Sequence, residues 1–393
     1  MKPFAFSGIP GIVFGPGEFR RVHRIIKEMG DHVLVVTGVS SLERSGKWDE
    51  LESGLEKETI RCSRVTLRGE PSPDFVDDTV SRFRDRGIQV VLAVGGGSVV
   101  DAGKAISAML TQETSVYEFL EGIGNRTHNG EKLPFVAVPT TSGTGSEATK
   151  NAVLSKVGPQ GFKKSIRHDR FVPDVAVIDP ELMLSCPPEV SAACGMDAFT
   201  QLLESYVSTQ ASPFTDALAY SGISFLKDSL IPVCTTEGES IEKRAAMAYA
   251  SLVSGMTLAN AGLGVVHGLA SPIGGLFSIP HGVVCGTLVG AETRVNIEKL
   301  RRRKQGDSIA LRKYAKIGAL LSGKAFREEE IHPCCDLLIE RIDGWIETLA
   351  IPRLGMYGIR ASDLDRIAGS AGNKNNPVAL SADEIKDLVS MRL

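Results

Sequence analysis

The sequence predicts two parts: an α/β N-terminal domain around a mostly parallel sheet, and an all-α C-terminal domain. Short β-branched runs at 33–37, 88–94, 134–139 and 175–178 are bounded by Gly, Pro or charged residues, as strands buried on both faces are. Helical patterns lie between several of these runs. Glycine-bearing motifs follow two of them, at the carboxyl ends where such sheets open a ligand crevice. After Pro187-Pro188 the β-branched runs cease, and Ala, Leu and Met recur at three- and four-residue spacings. The break at Ser185-Cys186-Pro187-Pro188 sets the expected domains at 1–186 and 187–393.

The first run, Val33 to Thr37, leads into Gly38-Val39-Ser40-Ser41. Dinucleotide enzymes that prefer NAD usually place a carboxylate here on the ribose 2′-hydroxyl. Gly38, Ser40 and Ser41 offer two hydroxyls and no carboxylate, which favours NADP over NAD; the alternative is a Ser-rich loop without ligand contact. The run ending at Val94 enters Gly95-Gly96-Gly97-Ser98 and then a helical pattern, so bare amides at a helix N-terminus can hold a pyrophosphate. A simple tight turn is the structural alternative. The run ending at Pro139 leads into Thr140, Thr141, Ser142, Thr144 and Ser146, with Gly143 and Gly145 expected to let the backbone approach a ligand closely.

Composition narrows the partner. With 393 residues, 42% of them hydrophobic, the chain can bury a large core; a net charge of −3 with dispersed Lys and Arg offers no stripe for nucleic acid or an anionic membrane. A small-molecule ligand is expected. Seven cysteines without Cys-x-x-Cys spacing argue against a disulfide framework and a structural zinc site, and fit a reducing cytoplasm. The opening Met1 to Gly8 lacks the apolar length of a signal peptide. The apolar stretch from Met247 to Phe277 is interrupted by Asn260, His267 and Pro272, and is expected to be a buried helix pair rather than a membrane span.

The helical half carries Asp197 and Gln201, four residues apart and therefore on one helix face, with Phe199, Leu202, Leu203 and Tyr206 as the packing stripe. His267 and His281 follow at Val266-His267-Gly268 and Pro280-His281-Gly282. A carboxylate and two imidazoles meeting across helices can hold Fe²⁺ or Zn²⁺ with room for substrate. The spacing is equally compatible with a capping Asp and two structural histidines.

Taken jointly, Phe14-Gly15-Pro16-Gly17, Gly95 to Asp101, Pro139 to Glu147, Asp179-Pro180, Gly195-Met196-Asp197-Ala198 and the His267/His281 pair resemble the iron-containing (group III) alcohol dehydrogenase family, within the dehydroquinate synthase-like superfold. The resemblance implies a dinucleotide domain and a helical domain, with cofactor and metal facing each other across a cleft. It assigns the metal to Asp197, Gln201, His267 and His281, with Gln201 standing where the family has a third histidine, and a further family histidine, often given to proton relay, falls on Ser271. Gln is a poorer donor to Fe²⁺ or Zn²⁺ than imidazole, so affinity is expected to drop. The Thr-Gly-x-Ser-Ser sequence resembles the NADP-using branch.

The expected reaction is hydride transfer between NADP(H) and a small aldehyde or primary alcohol, with the metal as Lewis acid. Gly96, Gly97, Ser98 and Asp101 are expected at the pyrophosphate, though Asp101 can instead orient the turn. Thr140, Thr141, Ser142 and Ser146 are expected on the path to the nicotinamide, and Lys164 at the ribose. Two alternatives stand beside this: a metal-free reductase similar to maleylacetate reductases, and a nucleotide-binding homologue without catalysis. A homodimer is expected. Gly372 to Pro377 reads either as a loop closing over the cleft or as a solvated turn.

Overall fold

The computed structural model describes residues 3–302 and 308–393; Met1 and Lys2 of the opening segment lie outside the described residues. The first half contains strands β1 (Gly11–Phe14), β2 (His32–Thr37), β3 (Arg61–Thr66), β4 (Val90–Gly95), β5 (Phe135–Pro139), β6 (Asn151–Lys156), β7 (Phe162–Arg167) and β8 (Val175–Ile178). Its helices are α1 (Val22–Met29), α2 (Ser41–Arg44), α3 (Lys47–Lys57), α4 (Pro73–Phe83) and α5 (Gly97–Met109). Six strands form one parallel sheet, ordered β1-β8-β5-β4-β2-β3, while β6 and β7 form a separate antiparallel hairpin.

Alternation explains why the central strands read as unbroken apolar runs. Leu34, Val36, Val91, Ala93, Phe135 and Ala137 pack on one face of the sheet; Val33, Val35, Leu92, Val94, Val136 and Val138 pack on the other. The chain steps outward from β2 to β3 and then returns to β4 on β2's other side, so the order reverses between β2 and β4. Such a switch point opens a crevice at the carboxyl ends of the two strands. Thr37-Gly38 and Gly95-Gly96 flank it, in register across the Thr37–Val94 pair.

Four strands were not expected from the sequence. β3 (Arg-Cys-Ser-Arg-Val-Thr) is a polar edge strand, and β1 is a short, largely exposed one at the other edge. β6 and β7 mix Lys and Ser with apolar residues because only one face of the hairpin is buried.

The second half is helical throughout its described residues: α6 (Pro188–Val207), α7 (Pro213–Leu226), α8 (Leu230–Cys234), α9 (Ile241–Ala261), α10 (Val265–Leu276), α11 (His281–Arg301), α12 (Ile309–Leu321), α13 (Ile331–Thr348), α14 (Leu364–Ser370) and α15 (Ala382–Ser390). Local signals fix several starts. Ser212 and Thr215 form a reciprocal capping box around Pro213 at the head of α7, and Ser240 caps α9 through the Lys243 amide. α6 is buried from Gly195 to Val207 and packs against α7, α9 and α11. α9 and α10 meet at a bend of 100°; no single described helix is long and apolar enough to cross a membrane.

Where the halves meet, the backbones touch. A β-carbon at Gly143 would lie 2.7 Å from Cys194 Cβ on α6, and one at Gly145 would lie 2.4 Å from Gly255 N on α9. The expectation that these glycines admit a ligand is therefore corrected: they admit helices α6 and α9. Ala148, Ala176, Ile178 and Met183 continue the contact against Ala248, Leu252 and Met256 of α9. Lys104 on α5, fully buried, ties the same loop down through Ser146 O (2.7 Å), Thr149 Oγ1 (2.8 Å) and Asn151 O (2.8 Å).

Gly145 also sits at φ +62°, where an L side chain is strained. Gly145→Ala is expected to cost about 2–4 kcal/mol in urea denaturation, combining overpacking with strain. Gly46→Ala, also at positive φ (+68°) but with open space around it, should cost only the conformational strain, about 1–2 kcal/mol.

Candidate metal and dinucleotide site

The glycine turn places the head of α5 on a cavity. Gly96 is the N-cap in extended conformation with no side-chain cap, so the Gly97 and Ser98 amides, which no helix satisfies internally, remain available, while Val99 N donates to Gly96 O (2.9 Å). Gly97 and Ser98 line the cavity, together with Thr144, Ser146, Gln201, His267, Ser271 and His281. Packing also demands these glycines: a β-carbon at Gly95 would lie 2.6 Å from Val99 Cβ, and one at Gly97 2.4 Å from Thr144 Oγ1. Gly38 lies against Val99, and Ser40 and Ser41 open α2 beside it at the switch point.

Several expected contacts fall differently. Asp101 accepts from Val153 N (3.1 Å) and approaches Lys104 Nζ (3.8 Å), bracing α5 against β6. That matches the orienting alternative, and Asp101 also lines the same cavity as Gly97 and Ser98. Lys164 is exposed and does not line the cavity that holds the histidines; its neighbour Lys163 does, pairing with Glu70 at 3.0 Å. Strand alternation explains the one-residue shift. Thr141 lies against Gly96 and Ser142 donates to Met183 Sδ (3.0 Å), so Thr140, Thr141 and Ser142 sit beside the turn, outside the space lined by Thr144 and Ser146.

Across the cavity, Asp197, His267 and His281 converge from α6, α10 and α11. Asp197 Oδ1 lies 3.3 Å from His267 Nε2 and 3.8 Å from His281 Nε2. Glu204, two turns along α6 from Asp197, takes the other side of His267, 2.6 Å from Nδ1, and accepts Val266 N at 2.8 Å. It thereby fixes the ring so that Nε2 faces Asp197. Cys285, one turn past His281 on α11, sets its Sγ 3.6 Å from both Nε2 atoms. These four donor atoms lie within 4.8 Å of one another. Gln201 is adjacent, with its side-chain amide 2.9 Å from Ser254 Oγ on α9.

Comparison with known proteins gives the family. The iron-containing alcohol dehydrogenase family profile matches residues 10–180, and the profile of that family's C-terminal part matches 191–393. The chain belongs to the iron-containing alcohol dehydrogenase family. It is 33% identical to long-chain-alcohol dehydrogenase 1 of Geobacillus thermodenitrificans, over 91% of this chain and 87% of that one. It is 30% identical to the NADPH-dependent butanol dehydrogenase of Clostridium saccharobutylicum, over 96% and 95%. The solved structure of a 1,3-propanediol oxidoreductase superposes with a TM-score of 0.88 at 29% identity, covering both chains fully. This membership makes the protein an oxidoreductase of the alcohol dehydrogenase class and implies NAD(P) and a metal.

The donor set fits a divalent cation. Burial alone would raise the Asp197 carboxyl, but His281 and His267 outweigh it and hold it below the usual range. Burial would lower His267, yet Cys285, Glu204 and Asp197 drive it well above its ordinary value. A proton on His267 does for these acidic neighbours what a cation would do. His281 is pushed down to about 4 by burial, reinforced by Lys163 and His267, which leaves a neutral imidazole. Cys285 is pushed up to about 12 by burial.

The sequence reading missed Lys163, Glu204 and Cys285. Glu204 was legible as i+7 from Asp197, and Cys285 as i+4 from His281, each on the face of a proposed ligand. Of the two readings of Gly372 to Pro377, the structure has the segment packed against the cleft rather than free in solvent: Asn375 N donates to Leu263 O (2.9 Å), Asn376 is buried, and Lys374 lines the cavity.

Glu204→Gln keeps the shape but weakens the hold on His267, so metal affinity in titration with a competing chelator should fall roughly 10- to 100-fold. A separate pH effect arises at Glu147, buried on the docking loop and pushed up to about 7 by burial. A carboxyl raised in the fold contributes stability below its unfolded value and loses it as pH rises through the folded one. Wild-type Tm should therefore fall between about pH 4.5 and 7 relative to Glu147→Gln; parallel Tm profiles would contradict this.

Proposed function

We propose that the protein interconverts a small aldehyde and its primary alcohol using NADP(H), with Fe²⁺, or Zn²⁺ in its place, held by Asp197, His267 and His281. One observation carries the reading: the head of α5 and the two histidines line the same cavity, so a pyrophosphate on the Gly97 and Ser98 amides belongs to a molecule that reaches the histidines.

In this reading each group has a defined task. Gly96, Gly97 and Ser98 bind the pyrophosphate, and the Lys163 ammonium supplies positive charge on the cavity wall between that turn and His281. Ser40 and Ser41, with Gly38, receive the 2′-phosphate. Glu43, the nearest carboxylate beyond the strand, is spent on Arg64, which also donates to Thr37 Oγ1 and stacks on Trp48. Leu258, Leu263 and Val153 form the apolar wall that excludes water. A bound divalent cation supplies Lewis acidity at the substrate oxygen, and the nicotinamide supplies the hydride. Glu204 holds His267 in the one tautomer and orientation that directs Nε2 inward. The NADPH-dependent butanol dehydrogenase relative supports both the cofactor and the substrate size. We place the enzyme in the cytoplasm as a homodimer; the outward Ile12 and Phe14 on edge strand β1 support the dimer.

The decisive measurement is NADPH oxidation with a medium-chain aldehyde on anaerobically purified protein, before and after chelation, with Fe²⁺ and Zn²⁺ returned separately. Activity should disappear and recover, His267→Ala should lose on the order of a hundredfold or more in kcat/KM, and KM should be lower for NADPH than for NADH. Turnover indifferent to chelation would instead support a metal-free reductase.

A further inference from the structure

We propose that Cys285, rather than Gln201, completes the protein's hold on the divalent cation, giving an Asp-His-His-Cys donor set. This deepens the metal-assisted reading above and rests on it. With bonds of about 2.0–2.2 Å to nitrogen and oxygen and about 2.3 Å to sulfur, a tetrahedral site has edges of about 3.4 Å between N and O and about 3.6 Å between N and S. The structure has Sγ at 3.6 Å from His267 Nε2 and at 3.6 Å from His281 Nε2. Asp197 Oδ1 lies 3.3 Å and 3.8 Å from the same two nitrogens. Four side chains on three helices thus stand at or near the spacing of neighbouring donors to one ion along four of the six edges, with all four donor atoms within 4.8 Å of one another, and expansion to five-coordinate would leave the substrate oxygen a place.

Direction and chemistry agree with the distances. His267 spends Nδ1 on Glu204, so its Nε2 is the ligating atom, and that is the atom Cys285 faces. Gln201 offers a neutral amide already hydrogen-bonded to Ser254, whereas a thiolate is charged and soft. On coordination the Cys285 thiol gives its proton to solvent, and the new S–metal bond replaces S–H. One thiolate and one carboxylate then balance the two positive charges of the ion inside a buried site. A thiolate also tilts selection toward Zn²⁺ and Co²⁺ relative to harder cations.

The test uses Co²⁺ added anaerobically to the metal-stripped full-length protein. Wild type and Gln201→Ala should develop the near-ultraviolet thiolate-to-cobalt charge-transfer band. Cys285→Ser should lack the band and bind Co²⁺ at least about tenfold more weakly, since even outer-shell partners are worth that much. X-ray absorption on the cobalt-loaded wild type gives a readout independent of the variants: one sulfur scatterer at about 2.3 Å. A cobalt-loaded wild type without the band or the scatterer, or a band that survives in Cys285→Ser, overturns the assignment; chelator-sensitive turnover in that same preparation would leave the metal-assisted reading standing. Absence of cobalt uptake together with chelator-indifferent turnover overturns both.

Discussion

The structure depends on a contact that leaves no room for side chains: the 140–147 loop laid directly on helices α6 and α9. The head of α5 belongs to one half of the chain and the Asp197/His267/His281 cluster to the other. They share a cavity only because Gly143 lets the loop reach Cys194 and Gly145 lets it reach Gly255. Lys104 fastens the loop from the sheet side. A fully buried ammonium costs several kcal/mol unless it is paired or well hydrogen-bonded, and here three oxygens within 2.8 Å answer it. The loop's residues are thus fixed by the docking of two layers, and the cavity follows from that docking.

A second constraint is charge. α6 carries Asp197, Gln201 and Glu204 at i, i+4 and i+7 along one stripe of a buried helix, a pattern that ordinary packing penalises. Both carboxyl groups reach His267. Behind them Glu292, driven well upward by burial and by Glu204, is held by Asn296, which also bonds Tyr314 and Asn376. Three acidic side chains in one apolar interior are tolerable where positive charge arrives, as a proton on His267 or as a metal ion.

Legibility in the sequence followed the same physics. Strands buried on both faces announced themselves as β-branched runs, and helices by their period, so the two-part architecture was readable. The polar edge strand β3 and the one-sided hairpin β6–β7 were not, because strand identity there comes from pairing partners rather than composition. At the site, type and spacing single out Asp197, His267 and His281 as candidates, but only the family resemblance makes them metal ligands rather than a cap and two structural histidines. The sequence points to Lys164 where Lys163 faces the cavity, since a hairpin's facing cannot be assigned before the hairpin itself is recognised. Among the seven cysteines, the signal of Cys285 lies only in its spacing of four residues from His281.

That spacing points to a general consequence of building a site between packed helices. α6 and α11 pack together, and each presents positions one turn apart toward the same point: 197 and 201 on one, 281 and 285 on the other. The α-helical period makes the second position of either pair a near-equivalent place for a donor. When position 201 carries an amide in place of an imidazole, position 285 can restore a strong donor from the opposite wall without moving any backbone. The restored donor is anionic where the imidazole was neutral, so the same scaffold would hold a site of different net charge and softness. Metal preference within one fold can therefore change by moving a ligand across a helix–helix interface, while Glu204, His267 and the cavity that receives the substrate stay where they are.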